Sequence, residues 1–318
     1  MDCFQERSFY YFRHGLFGHA AKICEIGLEK KQTSLILYVY CGIAQGMLGN
    51  TQEAVRIISH LKLRQDLSLV YDSALYCIYL SSKSSSQEKI TNLYNNIKNK
   101  INDANPLSTF ISAQIFVFFQ DYDLARQIFS SVNSRLEEEK KSNPNHNSLF
   151  HSGLSTLEVW LDMLDGHPKR AIKKFDDIMT QNGNKYDILC LYGKAVCYTI
   201  LGQYLDSIQI YNLLLSKYDF PELNLEKSRI YILMKKWDLA YNLPEDVNNK
   251  LFSQLEIKVI LAFNSLLISQ KDQMTTDILD DLFDDLQKFE AKNWRYQLSF
   301  LWLYQLFVII VLQYLIEL

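Results

Sequence analysis

The sequence predicts an all-α protein, a right-handed α-solenoid of tetratricopeptide-type helix pairs. The 318 residues include only 5 prolines and 11 glycines, while 48% are hydrophobic, so helix breakers are few and apolar material is plentiful. A small residue also recurs at a regular interval before apolar residues, which is typical of stacked helix pairs. Strand-type alternation between glycine-flanked turns is missing.

The recurring small residue is expected in the second helix of each pair, helix B, where it lets the two helices cross closely. The six positions are Ala20, Ala54, Ala125, Ala171, Ser207 and Ala240. The first interval is 34 residues, and the last two are 36 and 33 residues. In four of the six cases an apolar residue follows four positions later, at Ile58, Phe129, Phe175 and Tyr211. A period of this length indicates tetratricopeptide repeats.

The interval from Ala54 to Ala125 is 71 residues and leaves room for one further, divergent pair, which we place at residues 67–80 and 87–101. This gives about seven helix pairs, enough to bury a continuous core. In the second pair, residues 35–47 form helix A, the first helix of a pair. Its Gly42 and Gly46 are expected to let the helices of that pair approach. Their spacing also occurs in transmembrane dimers, but the flanks here are polar.

Two polar stretches are predicted to lie outside the packed core. Residues 81–87 (SSKSSSQ) are expected to form a flexible loop. A charged insertion at about residues 135–150 accounts for the 46 residues between Ala125 and Ala171. Residues 250–269 and 274–289 predict one more pair, so the solenoid domain is expected to span residues 1–297.

The remaining residues, 298–318 (LSFLWLYQLFVIIVLQYLIEL), predict an apolar helix in which only Glu317 is charged. We favour the first helix of an unfinished repeat, because a helix buried on both sides is apolar nearly all round. A membrane tail anchor is the alternative, since about 20 apolar residues suffice to span a bilayer. Against the anchor, Gln305 and Gln313 lie inside the segment and no basic cluster follows.

Charge and cysteine usage narrow the class of protein. The net charge of −3 and the sequence pI of about 6.1 argue against a nucleic-acid partner, which would require a concentrated basic surface. The six cysteines form no CxxC pair and are expected to be small core residues in a reducing compartment. The first 15 residues lack a basic segment followed by an apolar run, so we expect a cytosolic protein.

One motif suggests catalysis. Asp280, Asp281 and Asp284 form a DDxxD, which in helical isoprenoid-processing enzymes holds magnesium. Such enzymes need a second acidic cluster, and the pair Asp176 and Asp177 lacks its final acidic residue. The aspartates are better interpreted as the wet side of an amphipathic helix. Because GxSxG, HExxH and GK[ST] motifs are also missing, we expect no enzymatic activity, catalytic residue, cofactor or metal.

Beyond the generic repeat, six stretches occur in the order known from one family. They are Gln5-Glu6-Arg7, GNTQEA at residues 49–54 with Arg56, QDLSL at residues 65–69, Trp160-Leu161-Asp162 with Gly166, YGKA at residues 192–195 with Cys197, and Trp237-Asp238. Over residues 4–295 the chain resembles the amino-terminal part of the tetratricopeptide-repeat 21 family, the large repeat subunit of the intraflagellar transport A complex.

The resemblance implies a non-enzymatic scaffold that acts in retrograde ciliary transport and ciliary membrane-protein trafficking. It also implies other intraflagellar transport A subunits as partners and a location in the cytoplasm and cilium. Family members are several times longer, so this chain is interpreted as a fragment or a shortened form. The alternatives are a generic cytosolic repeat adaptor and a tail-anchored membrane repeat protein. Repeat geometry places the candidate partner-binding residues on the concave side of helix A, at Phe9, Arg13, Tyr192 and Thr199.

Overall fold

The computed structural model describes residues 3–30, 34–82, 85–119, 121–142, 149–181 and 183–241. Within these ranges the regular elements are α-helices and two short 3-10 segments, Ser59–Leu63 and Gln65–Leu67, with no β-strand. This confirms the all-α prediction. The chain divides into two compact units, Cys3–Gly202 and a second that begins at Gln203, and each is described by itself.

The first compact unit contains eleven helices. They are α1 (Phe4–Arg13), α2 (Phe17–Glu29), α3 (Leu35–Met47), α4 (Thr51–Ile58), α5 (Ser68–Ser81), α6 (Gln87–Lys100), α7 (Pro106–Phe118), α8 (Tyr122–Ser142), α9 (Leu149–Leu164), α10 (Pro168–Gln181) and α11 (Ile188–Ile200). The described part of the second compact unit contains α12 (Tyr204–Lys217), α13 (Leu223–Leu233) and α14 (Trp237–Tyr241). Counted along the chain, these fourteen described helices correspond to about seven helix pairs, the number that the repeat spacing predicted.

The small residues of helix B are buried in the packed core. All six predicted positions, from Ala20 to Ala240, are fully buried, with 0% of their surface exposed. The four apolar residues that follow them are also buried. A larger side chain at a position of zero exposure would overpack the crossing, which explains why only alanine and serine occur there.

The turn between helix A and helix B has a repeated backbone geometry. Gly15, Gly49, Gly166 and Gly202 each follow a helix A, and each adopts a positive φ between 69° and 87°. The amide after Gly49 donates to the carbonyl of Gln45, which is the Schellman arrangement that closes a helix end. Lys235 holds the same position after α13 with a φ of 57°, although a lysine tolerates this region poorly.

The two glycines of α3 serve two different contacts. A Cβ on Gly42 would lie 2.5 Å from Cγ2 of Ile58 in α4, so Gly42 lets the helices of one pair approach, as predicted. A Cβ on Gly46 would instead lie 2.9 Å from Cγ1 of Ile78 in α5, which belongs to the next pair. The prediction that both glycines act within one pair was therefore wrong for Gly46. In a solenoid, helix A packs on the following helix A as well as on its own helix B.

The divergent third pair is formed by α5 and α6, close to the residues predicted. Ser86 caps α6 by accepting a hydrogen bond from the Lys89 amide at 3.4 Å. Ile97 is the only buried residue of α6, whereas α5 is buried along most of its length. Lys100 at the end of α6 donates to Asp72 of α5 at 2.6 Å. The pair is thus held by a small apolar contact and a charged hydrogen bond.

The QDLSL stretch, residues 65–69, connects the second pair to the third. It is also hydrogen-bonded to the beginning of the fourth pair. The backbone carbonyl of Asp66 accepts hydrogen bonds from the Asn105 side chain and the Ser108 hydroxyl, both at 2.5 Å. Asn105 is also the N-cap of α7, where its side chain accepts from the Ser108 amide at 2.8 Å. A single connector carbonyl therefore fixes the start of a helix about 40 residues further along the chain.

The predicted insertion at about residues 135–150 is partly helical. Helix α8 continues to Ser142, so the first eight residues of that stretch extend a helix and do not form a loop. The run is rich in glutamate and lysine, which are strong helix formers, and this explains why the loop that its charge predicted is a helix as far as Ser142. Residues 143–148 lie outside the described ranges.

The remaining predictions about the end of the chain are not tested. The pair at residues 250–289 and the apolar segment at residues 298–318 lie outside the described residues. Among the helices that are described, none has the length and apolar character needed to cross a membrane.

Candidate functional site

Helix α1 is aromatic on all sides. Five of its ten residues are Phe or Tyr, and all five are buried. One side packs on α2, where Ser8 lies 3.2 Å from Sγ of Cys24 and the Tyr11 ring stacks on His19. A helix that is apolar all round is buried on more than one side. The other sides of α1 therefore need partners as well.

These partners are helices of later pairs. The Phe9 ring lies 4.3 Å from Phe118 of α7, 5.0 Å from Trp160 of α9 and 6.2 Å from Tyr192 of α11, measured between ring centroids. Phe12 lies 5.7 Å from Tyr40 of α3. The first helix A thus contacts helix A of the fourth, fifth and sixth pairs. We call this group the inner aromatic cluster, consisting of Phe9, Phe12, Tyr40, Phe118, Trp160 and Tyr192.

The polar atoms of the cluster have hydrogen-bond partners. The Tyr40 hydroxyl donates to Oε1 of Gln114 at 3.1 Å, and Nε1 of Trp160 donates to the Leu189 carbonyl at 3.2 Å. Burial raises the pKa of Tyr40 well above its ordinary value, so its hydroxyl remains protonated and can donate. Buried tyrosines and tryptophans normally need such partners. The cluster is therefore part of the protein core, and the Tyr40 hydroxyl and the Trp160 indole N–H are hydrogen-bonded there.

One charged residue, Arg13, packs against the edge of the inner aromatic cluster. Nη1 of Arg13 donates to the Tyr192 hydroxyl at 2.9 Å, across 179 positions of sequence. Its guanidinium carbon also lies 5.5 Å from the ring centroids of both Trp160 and Tyr192, within the range of a cation–π contact. We call the contact of Arg13 with these two rings the Arg13 clasp. It joins the first pair directly to the fifth and the sixth.

Packing also changes the pKa of the Glu6 carboxyl group, near the beginning of α1. Burial raises the pKa of Glu6, and the negative charge of Asp187 raises it further. Asp187 is held in place because it caps α11, accepting a hydrogen bond from the Cys190 amide at 2.8 Å. The ionised form of Glu6 is therefore disfavoured in the folded chain.

Three of the four predicted partner-binding residues meet in the structure. Phe9 and Tyr192 are buried in the inner aromatic cluster, and Arg13 is half-buried above it. Thr199 lies seven residues after Tyr192 on α11, and its hydroxyl donates to the Ala195 carbonyl at 3.0 Å. The ring and hydrogen-bond contacts of these four residues are with other parts of the same chain. Their contact with a partner stays a prediction.

The sequence analysis did not single out Phe12, Tyr40 and Phe118 as members of one group. The signal available was the aromatic density of α1, since five rings on ten residues exceed what one helix face can hold. Trp160 is only 1% exposed and is a packing residue of the cluster.

Within the described residues, Asp176 and the six cysteines are the groups that bear on chemistry. Asp176 accepts a hydrogen bond from Lys194 at 2.6 Å, and the DDxxD at residues 280–284 lies outside the described ranges. All six cysteines are buried, as predicted, and burial raises the pKa of Cys41 and Cys197 to about 12. Their thiols are therefore poor nucleophiles at neutral pH. Among the described side chains, no three of the His, Cys, Asp and Glu types converge as metal ligands would.

Residues 9–241 match the family described as "Tetratricopeptide repeat protein 21 N-terminal ARM repeat". The chain belongs to this family. The description uses the armadillo name, but armadillo units span about 40–47 residues and contain two or three helices. Here the turn glycines Gly15 and Gly49 are 34 residues apart, and Gly166 and Gly202 are 36 apart. The first and fifth pairs of this tetratricopeptide repeat protein 21 family member therefore have tetratricopeptide length.

Two curated relatives share the family name. Tetratricopeptide repeat protein 21B of Mus musculus is 23% identical over 288 residues, covering 89% of this chain and 21% of the relative. The Homo sapiens protein of the same name is 23% identical over 233 residues, covering 72% of this chain and 17% of the relative. The chain thus spans about a fifth of the length of these relatives.

Among solved structures, the crystal structure of a tetratricopeptide repeat protein from Parabacteroides merdae ATCC 43184 gives a TM-score of 0.45 at 15% identity. The alignment covers 82% of this chain and 97% of the bacterial chain.

Proposed function

We propose that this family member is a non-enzymatic protein-interaction scaffold that works as part of an intraflagellar transport A assembly. In this role it contributes to retrograde ciliary transport and to the trafficking of ciliary membrane proteins. Membership of the tetratricopeptide repeat protein 21 family is the observation that carries the proposal. The seven helix pairs support it, because stacked pairs present extended surfaces that suit protein partners.

The proposed partners are other intraflagellar transport A subunits, and the proposed location is the cytoplasm and cilium. Phe9, Arg13, Tyr192 and Thr199 remain our candidates for the partner-binding surface. Arg13 is the best probe among them, because it is half-buried at the edge of the inner aromatic cluster. Its replacement by glutamine removes the charge while keeping a polar chain of similar length.

The test is recovery of partners from ciliated cells with the tagged full chain. Enrichment of intraflagellar transport A subunits supports the proposal, and Arg13→Gln should reduce that enrichment. Arg56→Gln is the matched control, because Arg56 is exposed and bonds to Glu53 of its own helix. Enrichment of chaperones or ubiquitin-ligase subunits instead would favour a general cytosolic adaptor. Retention in carbonate-washed membranes would favour the tail-anchored alternative.

A further inference from the structure

Helix α10 begins with a group of basic side chains. Its first seven residues are PKRAIKK, and the four cations among them form what we call the basic face of α10, consisting of Lys169, Arg170, Lys173 and Lys174. Lys169, Arg170 and Lys173 are exposed, and Lys174 is half-buried. Residues four apart are neighbours on a helix surface, so the face contains two adjacent rows of two cations each.

The basic face does not stabilise the helix that carries it. The amino-terminal end of a helix has a partial positive charge, which favours acidic residues there and disfavours cations. The first turns of α4, α6, α8 and α12 each contain an acidic residue, whereas the first turn of α10 contains none. The chain therefore keeps cations where the stability of α10 would favour carboxylates.

Only part of this positive charge is neutralised within the described part of the chain. Asp162 of α9 accepts hydrogen bonds from Arg170 and from Lys174, the latter at 2.6 Å. Among the described residues, Lys169 and Lys173 make no ion pair and no hydrogen bond. The row of Lys169 and Lys173 is thus an exposed pair of uncompensated positive charges.

Resting on the scaffold function proposed above, we propose that the basic face of α10 binds an acidic segment of a protein partner. The segment is a helix with two carboxylate side chains four residues apart, a spacing that matches Lys169 and Lys173. Each carboxylate pairs with one of the two lysines, as Asp162 pairs with Lys174 in the neighbouring row. Complementary charges of this kind orient two partners during association.

The charge of the whole chain favours a protein segment over a nucleic acid or a lipid surface. The chain has a net charge of −3, although the basic face itself contains four cations. A phosphate polymer or an anionic bilayer extends beyond a patch of two helical turns, so it would also meet the surrounding negative charge. A short acidic helix contacts only the patch. Its binding should weaken as the salt concentration rises.

The test uses the full chain and a fluorescein-labelled synthetic peptide of about 18 residues, long enough to form a helix, in which glutamates are spaced four apart among alanines. A matched peptide has glutamine in place of each glutamate. Fluorescence anisotropy at low ionic strength should show that the chain binds the glutamate peptide at least fivefold more tightly than the glutamine peptide. Equal affinity for the two peptides, or no saturable binding of either, would overturn the proposal.

Substitution of the two lysines locates the binding surface. Lys169→Glu/Lys173→Glu should weaken binding of the glutamate peptide at least tenfold, because two attractive pairs become repulsive. Lys169→Arg/Lys173→Arg keeps the charge and should change the affinity by less than twofold. Lys89→Glu/Lys98→Glu on α6 is the matched control, since it changes the net charge equally at two exposed lysines of another helix B. Equal weakening by the reversals on α10 and on α6 would overturn the proposal.

A circular dichroism melt establishes that each substituted chain is folded. If the reversal on α10 prevents folding, Lys169→Gln/Lys173→Gln replaces it and should weaken binding at least threefold. Unchanged affinity in that chain would overturn the proposal.

Vesicles containing phosphatidylserine and a short single-stranded RNA are the competing probes. Binding of either that depends on Lys169 and Lys173, without binding of the glutamate peptide, would overturn the proposal in favour of a lipid or nucleic-acid ligand. The peptide assay contains no ciliary protein, so its failure leaves the proposed scaffold function in place. Absence of intraflagellar transport A subunits from the cellular pull-down would instead contradict the scaffold function and leave the peptide result unchanged.

Discussion

Helices α1 and α6 are built from the same repeat principle, yet they differ in almost every property. Seven of the ten residues of α1 are buried, and five of its residues are aromatic. Only one of the fourteen residues of α6 is buried, and four are asparagines. Helix α1 contacts helices of five other positions in the array, whereas α6 packs mainly on α5. Helix α1 is a helix A that packs on later pairs, whereas α6 is a helix B that packs within its own pair, and their compositions follow these contacts.

The largest expected difference between the two helices is in core truncation. Phe9→Ala should lower the free energy of unfolding by about 3–5 kcal/mol, because it leaves a cavity among Phe118, Trp160 and Tyr192. Asn96→Ala on the exposed face of α6 should change it by less than about 0.5 kcal/mol. Urea unfolding of both variants measures the contrast. Similar values for the two would contradict the burial of α1.

The close crossing of α3 and α4 is expected to have the next largest effect. Gly42→Ala should cost about 1–3 kcal/mol, since the new Cβ would lie 2.5 Å from Ile58 Cγ2. Ile58→Ala removes that atom, so the double variant should lose less stability than the two single changes together. A double-mutant cycle by urea unfolding gives the coupling energy. Additive losses would show that the crossing is looser than described.

Ion pairs also attach helix B to helix A. Burial alone would raise the pKa of Asp162 on α9, but hydrogen bonds from Lys174 and Arg170 of α10 outweigh it and lower the pKa. Asp162→Asn should therefore cost about 1 kcal/mol at pH 7, a modest value because Lys174 and Arg170 are partly exposed to solvent.

The pH dependence of this loss follows from the direction of the shift. A lowered folded-state pKa gives stabilisation that is complete above the unfolded-state value of about 3.9. The stabilisation is lost as the pH falls through the lower folded-state pKa. Unfolding curves of wild type and Asp162→Asn should thus converge in strong acid, and a difference that persists there would exclude this electrostatic origin.

The smallest effect is expected at a turn. Lys235 holds the left-handed conformation that glycine holds after α1, α3, α9 and α11, so Lys235→Gly should raise the melting temperature, with a gain of about 0.5–1 kcal/mol. Gly202→Ala is the matched reverse change and should destabilise by about 1 kcal/mol. A loss on Lys235→Gly would mean that the lysine side chain stabilises the turn more than its backbone conformation strains it.

The sequence predicted the repeats because their signals are local. A small residue such as Ala54 and a turn glycine such as Gly49 are required within each pair, so they recur at the repeat period. The contact of α1 with α11 has no such signal. It results from the rotation accumulated over five successive pairs, and no interval in the sequence records that rotation. The contacts of Phe9 and Arg13 with Tyr192 were therefore not predicted.

The third pair and α8 show a second limit. Residues 135–142 were predicted to be a loop from their charge, although glutamate and lysine favour helix as much as they favour solvent. The polar helix α6 was located correctly because serines precede it and because its apolar residues recur at helical spacing. Charge alone therefore distinguishes exposed from buried segments better than it distinguishes helix from loop.

The central claim is that the array brings the first helix pair into contact with the sixth. A double-mutant cycle of Arg13→Ala and Tyr192→Phe tests it most directly, because the two residues are 179 positions apart and joined by one hydrogen bond. Urea unfolding should give a coupling energy of about 1 kcal/mol. Arg13→Ala combined with Tyr94→Phe of α6 serves as the control and should be additive. A coupling energy of zero between Arg13 and Tyr192 would contradict the contact between α1 and α11.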